Sequence, residues 1–343
     1  NEPEVIKEKL EYSVRGMEAS EAVEISKCAY KSHGYSFFDE HIYYPEKLVE
    51  LNHDGSMISA VAVTKDNTFM GHAALLYQYP EDKIAELTFV FVNVEYRGQG
   101  ALNKLIEYLF NEPKPRVLKG IYAYAVANHI FTQKAMVKYK INDCGLLLAT
   151  SPSSWKFKGI SDDTSQRISV VLSYIYMMEP ESKTLYLPAK HSELIKKLYN
   201  NLGCSVHNFI ENVENFELIF DNDSEIDYSD NELEGCGEIH IKEYGKDVIK
   251  QIRKITRSMC IRNISSINLF LSLEDKNTQL LCSEIEKLGY FFAGILPESK
   301  VGDSLILQYL NNVDLDYSKI HAYSDMAKEI MEYIKSNDPN IID

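Results

Sequence analysis

The sequence lacks the features that mark membrane proteins and nucleic-acid binders. No apolar run approaches the about 20 residues that a membrane helix needs, and the chain begins Asn-Glu-Pro-Glu without a basic, apolar signal sequence. Asp and Glu number 51 against 36 Lys and Arg, so the formal net charge is −15 and no basic stripe is available for phosphate backbones. This acidity mainly serves solubility and is compatible with a cationic partner such as an amine. We therefore expect no membrane and no nucleic-acid partner.

Cysteine motifs for metals or disulfides are missing as well. The six cysteines are scattered, with no C-x-x-C pair and no histidine at zinc spacing. This pattern favours buried or free thiols in a reducing cytoplasm, and we expect a cytoplasmic protein without a metal. The six are Cys28, Cys144, Cys204, Cys236, Cys260 and Cys282.

The remaining composition is that of an ordinary globular protein. The chain has 343 residues, of which 45% are hydrophobic and 25% charged. That length suffices for two domains or one large one. Because the first residue is not methionine, we expect further residues upstream of it.

The most informative stretch combines a strand, a glycine-rich turn and a helix. Thr88–Val94 is apolar, β-branched and aromatic, residues 97–100 read RGQG, and Ala101–Phe110 shows a helical apolar pattern. Such a succession leaves backbone N–H groups unpaired at the positive end of the helix dipole, which predicts a phosphate site. Gly98 and Gly100 have no Cβ, so an anion can approach their backbone closely.

A glycine turn by itself equally fits an ordinary strand-to-helix connection. Two nucleotide motifs can be set aside. The dinucleotide fingerprint G-x-G-x-x-G is incomplete here, and the Gly-Lys-Ser/Thr of the triphosphate loop is absent.

The turn resembles the pyrophosphate loop of the general N-acetyltransferase (GNAT) superfamily, whose pattern is Arg/Gln-x-x-Gly-x-Gly/Ala. Arg97 and Gly100 match this pattern, while Leu102 departs from it and keeps only its backbone N–H. The resemblance implies that the loop binds the pyrophosphate of acetyl-coenzyme A and that the strand Leu87–Val94 binds the pantetheine arm. The cofactor-binding residues it implies are Val92, Val94, Arg97, Gly98, Gln99, Gly100, Ala101 and Leu102, joined by Asn128 and Gln133, although Asn128 equally fits a helix cap.

The order of predicted elements is also that of the GNAT fold. Two helices, three strands, a helix, a strand, a helix and two strands follow one another within residues 12–178. We expect an α+β fold layered α/β/α, with a mixed, mostly antiparallel sheet and flanking helices. The predicted elements are Glu18–His33 and Pro45–Leu51 as helices, Ser56–Thr64, Phe69–Tyr77 and Leu87–Val94 as strands, Ala101–Phe110 as a helix, Gly120–Ala127 as a strand, Phe131–Lys140 as a helix, and Gly145–Ala149 and Arg167–Met177 as strands.

The second half is expected to hold a degenerate GNAT-like domain, residues 179–315, and a C-terminal helix, Lys319–Lys335, within residues 316–343. Its final strand–helix–strand succession resembles the end of a GNAT module, and Thr184–Leu202 faintly repeats Tyr122–Tyr139. Glu211–Glu238 contains no Lys or Arg and indicates a solvated loop or an edge hairpin, with Phe216–Phe220 as a strand. No counterpart of RGQG occurs, so no second acetyl-coenzyme A site is expected. The whole chain is similar to bacterial two-module GNAT proteins at Cys144–Pro152, Gln166–Ser169 and Tyr290–Pro297.

Two residues are implied to carry the chemistry. Glu86 matches the Ala-Glu-Leu/Ile position that is the general base of some GNAT enzymes, and it equally fits an exposed carboxylate at a strand end. Tyr139 matches the tyrosine that protonates the leaving thiolate, and it equally fits a packing residue. The Gly-Phe that usually follows this tyrosine is absent, and the sequence instead has Gly145-Leu146, which predicts an insertion.

The sequence leaves the acetyl acceptor and the function open. The acceptor pocket is implied to lie around the first two helices, where the aromatic-rich sequence suits a cationic or ring-bearing molecule and equally suits packing. The first hypothesis is an enzyme that transfers acetyl directly from acetyl-coenzyme A to an amine of a small molecule or a protein. The alternatives are a non-catalytic acyl-coenzyme A sensor, whose second half would serve docking or homodimerisation, and a scaffold that binds no cofactor. The pocket residues in question are His33, His41, His53, Tyr30, Tyr35, Tyr43 and Tyr44.

Overall fold

The computed structural model describes residues 5–35, 39–112, 114, 116–155, 165–211, 220 and 222–341. The chain divides into two compact units, Asn1–Ala123 with Ser154–Thr164 and Tyr124–Ser153 with Ser165–Asp343. Among the described residues, no helix is both long and apolar enough to cross a bilayer. The domain limits at residues 178 and 315 stay predictions.

The first unit is an α+β structure whose strands follow the order β1-β2-β3-β4-β5. The first four strands are antiparallel to their neighbours, whereas β4 and β5 are parallel. β5 continues past Ala123 into the second unit. The elements are β1 (Tyr12–Gly16), α1 (Ala22–His33), α2 (Pro45–His53), β2 (Met57–Thr64), β3 (Phe69–Leu76), β4 (Ile84–Val92), α3 (Ala101–Asn111) and β5 (Gly120–Val126).

Helical periodicity accounts for the packing of this unit. Ile25 and Ala29 of α1 and Leu48 of α2 are fully buried in one cluster with Val61 and Phe91 of the sheet. The apolar stripe of α3 is likewise buried, and α3 packs against β2 and β3. The predicted helices and strands of this region are therefore confirmed, and the mixed sheet with flanking helices is the GNAT fold.

Two strands of this sheet differ most from the prediction. β1 was not predicted from the sequence, and it pairs with β2 at the edge of the sheet. β4 starts three residues earlier than expected and ends at Val92. It ends there because residues 94–96 form a 3-10 turn, in which the N–H of Arg97 donates to the carbonyl of Val94 at 3.2 Å.

The second unit contains a sheet with strand order β7-β6-β13-β14-β12-β11-β10 and a separate parallel pair, β8-β9. All neighbours in the larger sheet are antiparallel except β11 and β12. The elements are α4 (Phe131–Lys138), β6 (Asn142–Ser151), β7 (Ile168–Tyr176), β8 (Thr184–Tyr186), α5 (Ser192–Asn201), β9 (Asn208–Ile210), β10 (Glu225–Asn231), β11 (Cys236–Glu243), α6 (Val248–Ile261), β12 (Ser266–Ser272), α7 (Lys276–Glu286), β13 (Phe291–Ser299), β14 (Gly302–Leu310) and α8 (Asp325–Asn337).

Within the described part of the acidic stretch, β10 and the start of β11 form an edge hairpin, one of the two predicted structures. β10 pairs with β11 and ends the strand order. The predicted strand Phe216–Phe220 falls outside the described residues except for Phe220.

The C-terminal helix begins at Asp325 rather than at Lys319. Ser324 sets this start because its hydroxyl accepts a hydrogen bond from the N–H of Ala327 at 2.9 Å, as an N-cap does. The residues from 317 to 319 form a separate 3-10 turn.

The second unit also contains an internal repeat of backbone geometry. In each copy a left-handed residue ends a helix, a glycine follows five residues later, and a second left-handed residue follows four residues after that. The two glycines pair where β6 meets β13, and a Cβ on either would come within 3.0 Å of the opposite backbone. The copies are Lys140 (φ 57°), Gly145 and Ala149 (φ 53°), and Gly289 (φ 100°), Gly294 and Glu298 (φ 54°).

This spacing supports a second GNAT-like module, which we infer for the second half of the chain. In addition, β11 and β12 of the second unit are parallel neighbours, as β4 and β5 are. The faint repeat predicted at Thr184–Leu202 stays a prediction, and its strand β8 lies outside the larger sheet.

Candidate functional site

The centre of the candidate site is the strand β4. It pairs with β3 from Glu86 to Val92, but with β5 it pairs only from Ile84 to Glu86, where Glu86 lies beside Tyr122. From Leu87 onward the β5 side of β4 therefore has no strand partner among the described pairings. An open strand edge offers N–H and C=O groups to an extended ligand.

A bulge in β4 lies at the start of this open edge. The register with β3 shifts between His72 and Ala74, and Phe89 adopts a left-handed φ of 51° while fully buried. Such a conformation costs on the order of 1–3 kcal/mol for a residue with a side chain, so the surroundings must maintain it. A bulge bends its strand, which accounts for the end of the pairing with β5.

His72 stabilises this bulge from the neighbouring strand. Its ring is fully buried, stacks on Phe91, and places Nδ1 2.8 Å from the carbonyl oxygen of Phe89. Burial lowers the pKa of His72 to about 4, so the ring is neutral at pH 7. Because a carbonyl only accepts, Nδ1 carries the hydrogen and donates it.

The glycine turn presents free backbone donors. Gly98 and Gly100 are exposed, with left-handed φ angles of 82° and 81° that side chains rarely adopt. Within the described part of the chain, no acceptor faces the N–H groups of Gly98, Gly100, Ala101 and Leu102. Gly100 is the N-cap of α3, no side chain caps this end, and its first turn has no acidic residue. The turn therefore has the donors and the dipole that bind an anion.

Two cationic side chains accompany these donors. Arg97 is half-buried and has no carboxylate partner among the described residues. Lys104, in the first turns of α3, places Nζ 4.2 Å from the centre of the Tyr12 ring. Leu102, the departure from the loop pattern, is half-buried and keeps its N–H free.

Gln99 has a different role from its neighbours. Its side chain accepts from the N–H of Leu10 at 3.0 Å and donates to the carbonyls of Ile6 at 3.0 Å and Glu8 at 2.7 Å. Its own N–H donates to Tyr96 at 3.3 Å. Gln99 therefore attaches the N-terminal segment to the turn, and the structure favours this bracing role over the predicted contact with pyrophosphate.

The two predicted pantetheine contacts lie along the open edge. The N–H of Asn93 donates to Met70 of β3 at 2.9 Å, and because N–H directions alternate along a strand, that of Val92 faces the other side. The N–H of Val94 has no acceptor among the described residues. Both residues are half-buried.

Glu86 lies where β4 and β5 separate. It is only 6% exposed and accepts a hydrogen bond from Nε2 of Gln78 at 3.1 Å. Its cross-strand partner, Leu76, belongs to the core beneath α1 and α2, so the Glu86 side chain shares that face of the sheet. The alternative of an exposed carboxylate at a strand end is therefore wrong.

The comparisons with known proteins agree with this geometry. The sequence model of the Acetyltransferase (GNAT) family matches residues 21–133, which contain the bulged strand and the glycine turn. This segment is a GNAT domain.

Solved structures similar to part of the chain, all at low identity, include two N-acetyltransferases and a third protein solved with its cofactor acetyl-CoA. The ribosomal-protein-S18-alanine N-acetyltransferase from Escherichia coli is 12% identical over 50% of this chain and 97% of its own, with a TM-score of 0.39. The spermidine/spermine N-acetyltransferase SpeG from Vibrio cholerae, solved with manganese ions, is 17% identical over 48% and 92%, with a TM-score of 0.36. The yncA protein from Salmonella typhimurium, solved with acetyl-CoA, is 12% identical over 50% and 96%, with a TM-score of 0.39. No curated protein matches the chain.

The end of α1 and the segment that leads to α2 carry a partly exposed aromatic cluster. The ring of Tyr35, which is 81% exposed, lies 4.8 Å from that of Tyr30 and 5.4 Å from that of Tyr43. His41 pairs with Asp39 at 2.9 Å beside them. The side chain of His33 lies outside the described residues.

Three further predicted residues belong to the second unit. Asn128 is not a helix cap, because Ile130 takes that position, and both polar atoms of its side chain are buried without a partner among the described residues. Gln133 instead donates to the carbonyls of Val126, His129 and His321 at 3.2, 3.2 and 2.7 Å. No amide hydrogen of Gln133 is left for a ligand, so the structure favours a bracing role.

Tyr139 is the half-buried residue that follows α4. Lys140 comes next with a left-handed φ of 57°, and the N–H of Ile141 donates back to Met136 at 3.0 Å, which closes the helix end. The left-handed residue after this helix is thus Lys140 and not a glycine, and Gly145 lies inside β6. The insertion relative to the family pattern stays a prediction.

Proposed function

We propose that the chain is an acetyltransferase that moves an acetyl group from acetyl-coenzyme A directly to an amine. The observation that carries this proposal is the set of N–H groups of Gly98, Gly100, Ala101 and Leu102, which have no acceptor among the described residues and lie at the positive end of α3. They lie immediately after the open edge of β4 in the sequence, as a ligand with a diphosphate and an amide-bearing arm requires.

These residues fit the cofactor in charge and in hydrogen bonding. The N–H groups of the turn and the guanidinium of Arg97 would bind the two phosphates. The N–H groups of Val92 and Val94 would bind the amide oxygens of the pantetheine arm. Asn128, whose amide has no described partner, stays a predicted contact to the same arm.

The chemistry requires a neutral amine. An alkylamine has a pKa of about 10.4 and is mostly protonated at pH 7, so a base must take its proton before attack. Glu86 would accept that proton, and the nitrogen would form a bond to the thioester carbonyl as the C–S bond breaks. The leaving thiolate takes up a proton, for which Tyr139 stays the predicted donor.

The acceptor is proposed to be a cation that approaches the aromatic cluster of the GNAT domain. The exposed rings of Tyr30 and Tyr35, with the half-buried Tyr43 beside them, would attract ammonium groups through their faces. Polyamines, lysine side chains and protein N-termini all meet this description.

Thiol release from acetyl-coenzyme A with a panel of amines tests the proposal. Glu86→Gln should lower kcat/KM by about 10²–10⁴-fold at neutral pH and leave coenzyme A affinity unchanged. Glu81→Gln, which removes an exposed carboxylate, is the matched control and should change neither. Tyr139→Phe should lower kcat alone.

Two outcomes would overturn the proposal in different ways. Binding of coenzyme A without turnover of any amine would favour the sensor. No binding of coenzyme A would favour the scaffold and would show that the glycine turn is not a phosphate site.

We also propose that each chain holds one acetyl-coenzyme A site. The corresponding helix of the second half, α6, begins beside the carboxylate of Asp247, which accepts from the N–H and hydroxyl of Ser224 at 2.8 and 2.9 Å. A carboxylate at that end repels phosphate. Calorimetry should therefore give about one coenzyme A per chain, and a stoichiometry of two would contradict the proposal.

A further inference from the structure

The second unit contains a buried cluster of three side chains that carry metal-ligating atoms. His191 lies at the start of α5, and Cys282 and Glu286 lie four residues apart on α7, which places them on one helix face. One ligand atom of each lies within 4.8 Å of the other two. The side chain of His191 is 0% exposed, Cys282 is 1% exposed, and the side chain of Glu286 is 15% exposed.

The hydrogen bonds of His191 identify which ring nitrogen carries the proton. The hydroxyl of Tyr333 donates its single hydrogen to the carbonyl of Lys190 at 3.0 Å, since a carbonyl can only accept. The same oxygen lies 2.8 Å from Nδ1 of His191, so Nδ1 must donate to it. In a neutral imidazole the lone pair is then on Nε2.

That lone pair faces the cluster. Nε2 lies 3.3 Å from Oε1 of Glu286 and has no hydrogen-bond partner within the described residues. In the neutral ring these are two acceptors, which repel one another at this separation unless a proton or a metal cation lies between them. The ring cannot turn away easily, because it packs against Phe292 at 5.2 Å and Tyr333 at 5.9 Å between ring centres.

We propose that this cluster binds a divalent zinc-class ion through Nε2 of His191, the thiolate of Cys282 and the carboxylate of Glu286. Mixed nitrogen, sulfur and oxygen ligands suit zinc, which accepts three protein ligands and a water in a tetrahedron. The partly exposed Glu286 provides the open side for that water. On binding, the Cys282 thiol gives up its proton to solvent.

Two neighbours complete the arrangement. Nδ1 of His191 donates to the Tyr333 hydroxyl, which in turn donates to the Lys190 carbonyl. Hydrogen bonds of this kind, beyond the metal ligands themselves, orient a metal-binding histidine. Nζ of Lys190 lies 2.6 Å from Oε1 of Glu286, but this side chain is 51% exposed and can move its charge into solvent. Zinc bonds of about 2.0–2.3 Å place tetrahedral ligands about 3.5 Å apart, so roughly 1 Å of closure is required.

Cobalt substitution of the full chain tests the site directly. The metal-stripped protein titrated with Co²⁺ should develop a near-ultraviolet thiolate-to-metal band at about one equivalent, and Zn²⁺ should displace it. Cys282→Ser should abolish the band. Cys260→Ser, which removes a partly exposed thiol on α6, should retain it.

A second variant separates positioning from folding. Tyr333→Phe keeps the ring and removes only the hydroxyl, and it should weaken Zn²⁺ affinity by about 10–100-fold in chelator competition while the circular dichroism stays unchanged. No thiolate band in the wild type, or equal zinc affinity in Cys282→Ser, would overturn the proposal and leave His191 and Glu286 as a plain ion pair. Neither readout depends on acetyl transfer.

Discussion

Gly98→Ala separates binding from stability at the glycine turn. Gly98 has a φ of 82°, and a Cβ built on it meets no atom within 4 Å. The cost to folding therefore comes from the left-handed backbone alone, about 1–2 kcal/mol. Gly203, which follows α5 in the second unit, has a φ of 76° and equally open space. Gly203→Ala is thus a matched control with the same expected loss of stability.

The two variants should differ in their affinity for coenzyme A. The new methyl group at residue 98 lies on an exposed turn whose free N–H groups would face the pyrophosphate. Loss of one hydrogen bond to a charged oxygen costs about 1.5–3 kcal/mol. At 1.4 kcal/mol for each factor of ten, the dissociation constant should rise by about 10–100-fold.

Calorimetry with two ligands assigns this loss to the phosphates. Gly98→Ala should weaken coenzyme A by the stated factor and leave pantetheine, which has no pyrophosphate, unchanged. Gly203→Ala should weaken neither ligand. If Gly98→Ala weakened both ligands equally, or if Gly203→Ala weakened coenzyme A as much, the turn would not be the diphosphate site.

Two predictions concern stability. Burial lowers the pKa of His72 from 6.5 to about 4. Between these pH values the His72 ring is protonated in the unfolded chain but not in the folded one. The free energy of unfolding should therefore fall by about 3 kcal/mol as the pH drops from 6.5 to 4. His72→Asn keeps a donor but does not titrate, so its urea midpoints should depend less on pH; an unchanged pH slope would refute the role of His72. Ser324→Ala should cost about 1 kcal/mol or more in urea melts, because it removes both the N-cap of α8 and a hydrogen bond to the buried carboxylate of Asp143. Ser336→Ala, on an exposed part of α8, should be nearly neutral, and an equal loss in both would count against the cap.

Apolar periodicity predicted most elements of the GNAT domain, since buried faces of helices and strands repeat at fixed intervals. It could not predict the bulge at Phe89. A left-handed φ of 51° has no local signature when the residue is not glycine, and it is maintained by His72 from another strand. The same holds for Lys140, a second residue with a side chain whose left-handed φ of 57° has no local signature.

In the candidate site, too, some features could be predicted from the sequence and others could not. Backbone donors were predictable, because a glycine turn before a helix exposes N–H groups whatever the side chains are. Side-chain roles were less predictable, because they depend on distant partners. Gln99 hydrogen-bonds to residues 6–10, and Gln78 supports Glu86 from the turn between β3 and β4. Neither contact has a spacing rule.

The His191 cluster extends this argument to metals. The expectation of no metal came from short-range rules, which require two cysteines or histidines within a few residues. Here the histidine precedes the other two ligands by about ninety residues, and only Cys282 and Glu286 share a local pattern, the four-residue spacing of one helix face. A single Cys-x-x-x-Glu is too common to predict a site. What makes the site testable is the buried lone pair on Nε2 of His191, which faces Glu286. Only the fold brings this nitrogen to the two residues of α7.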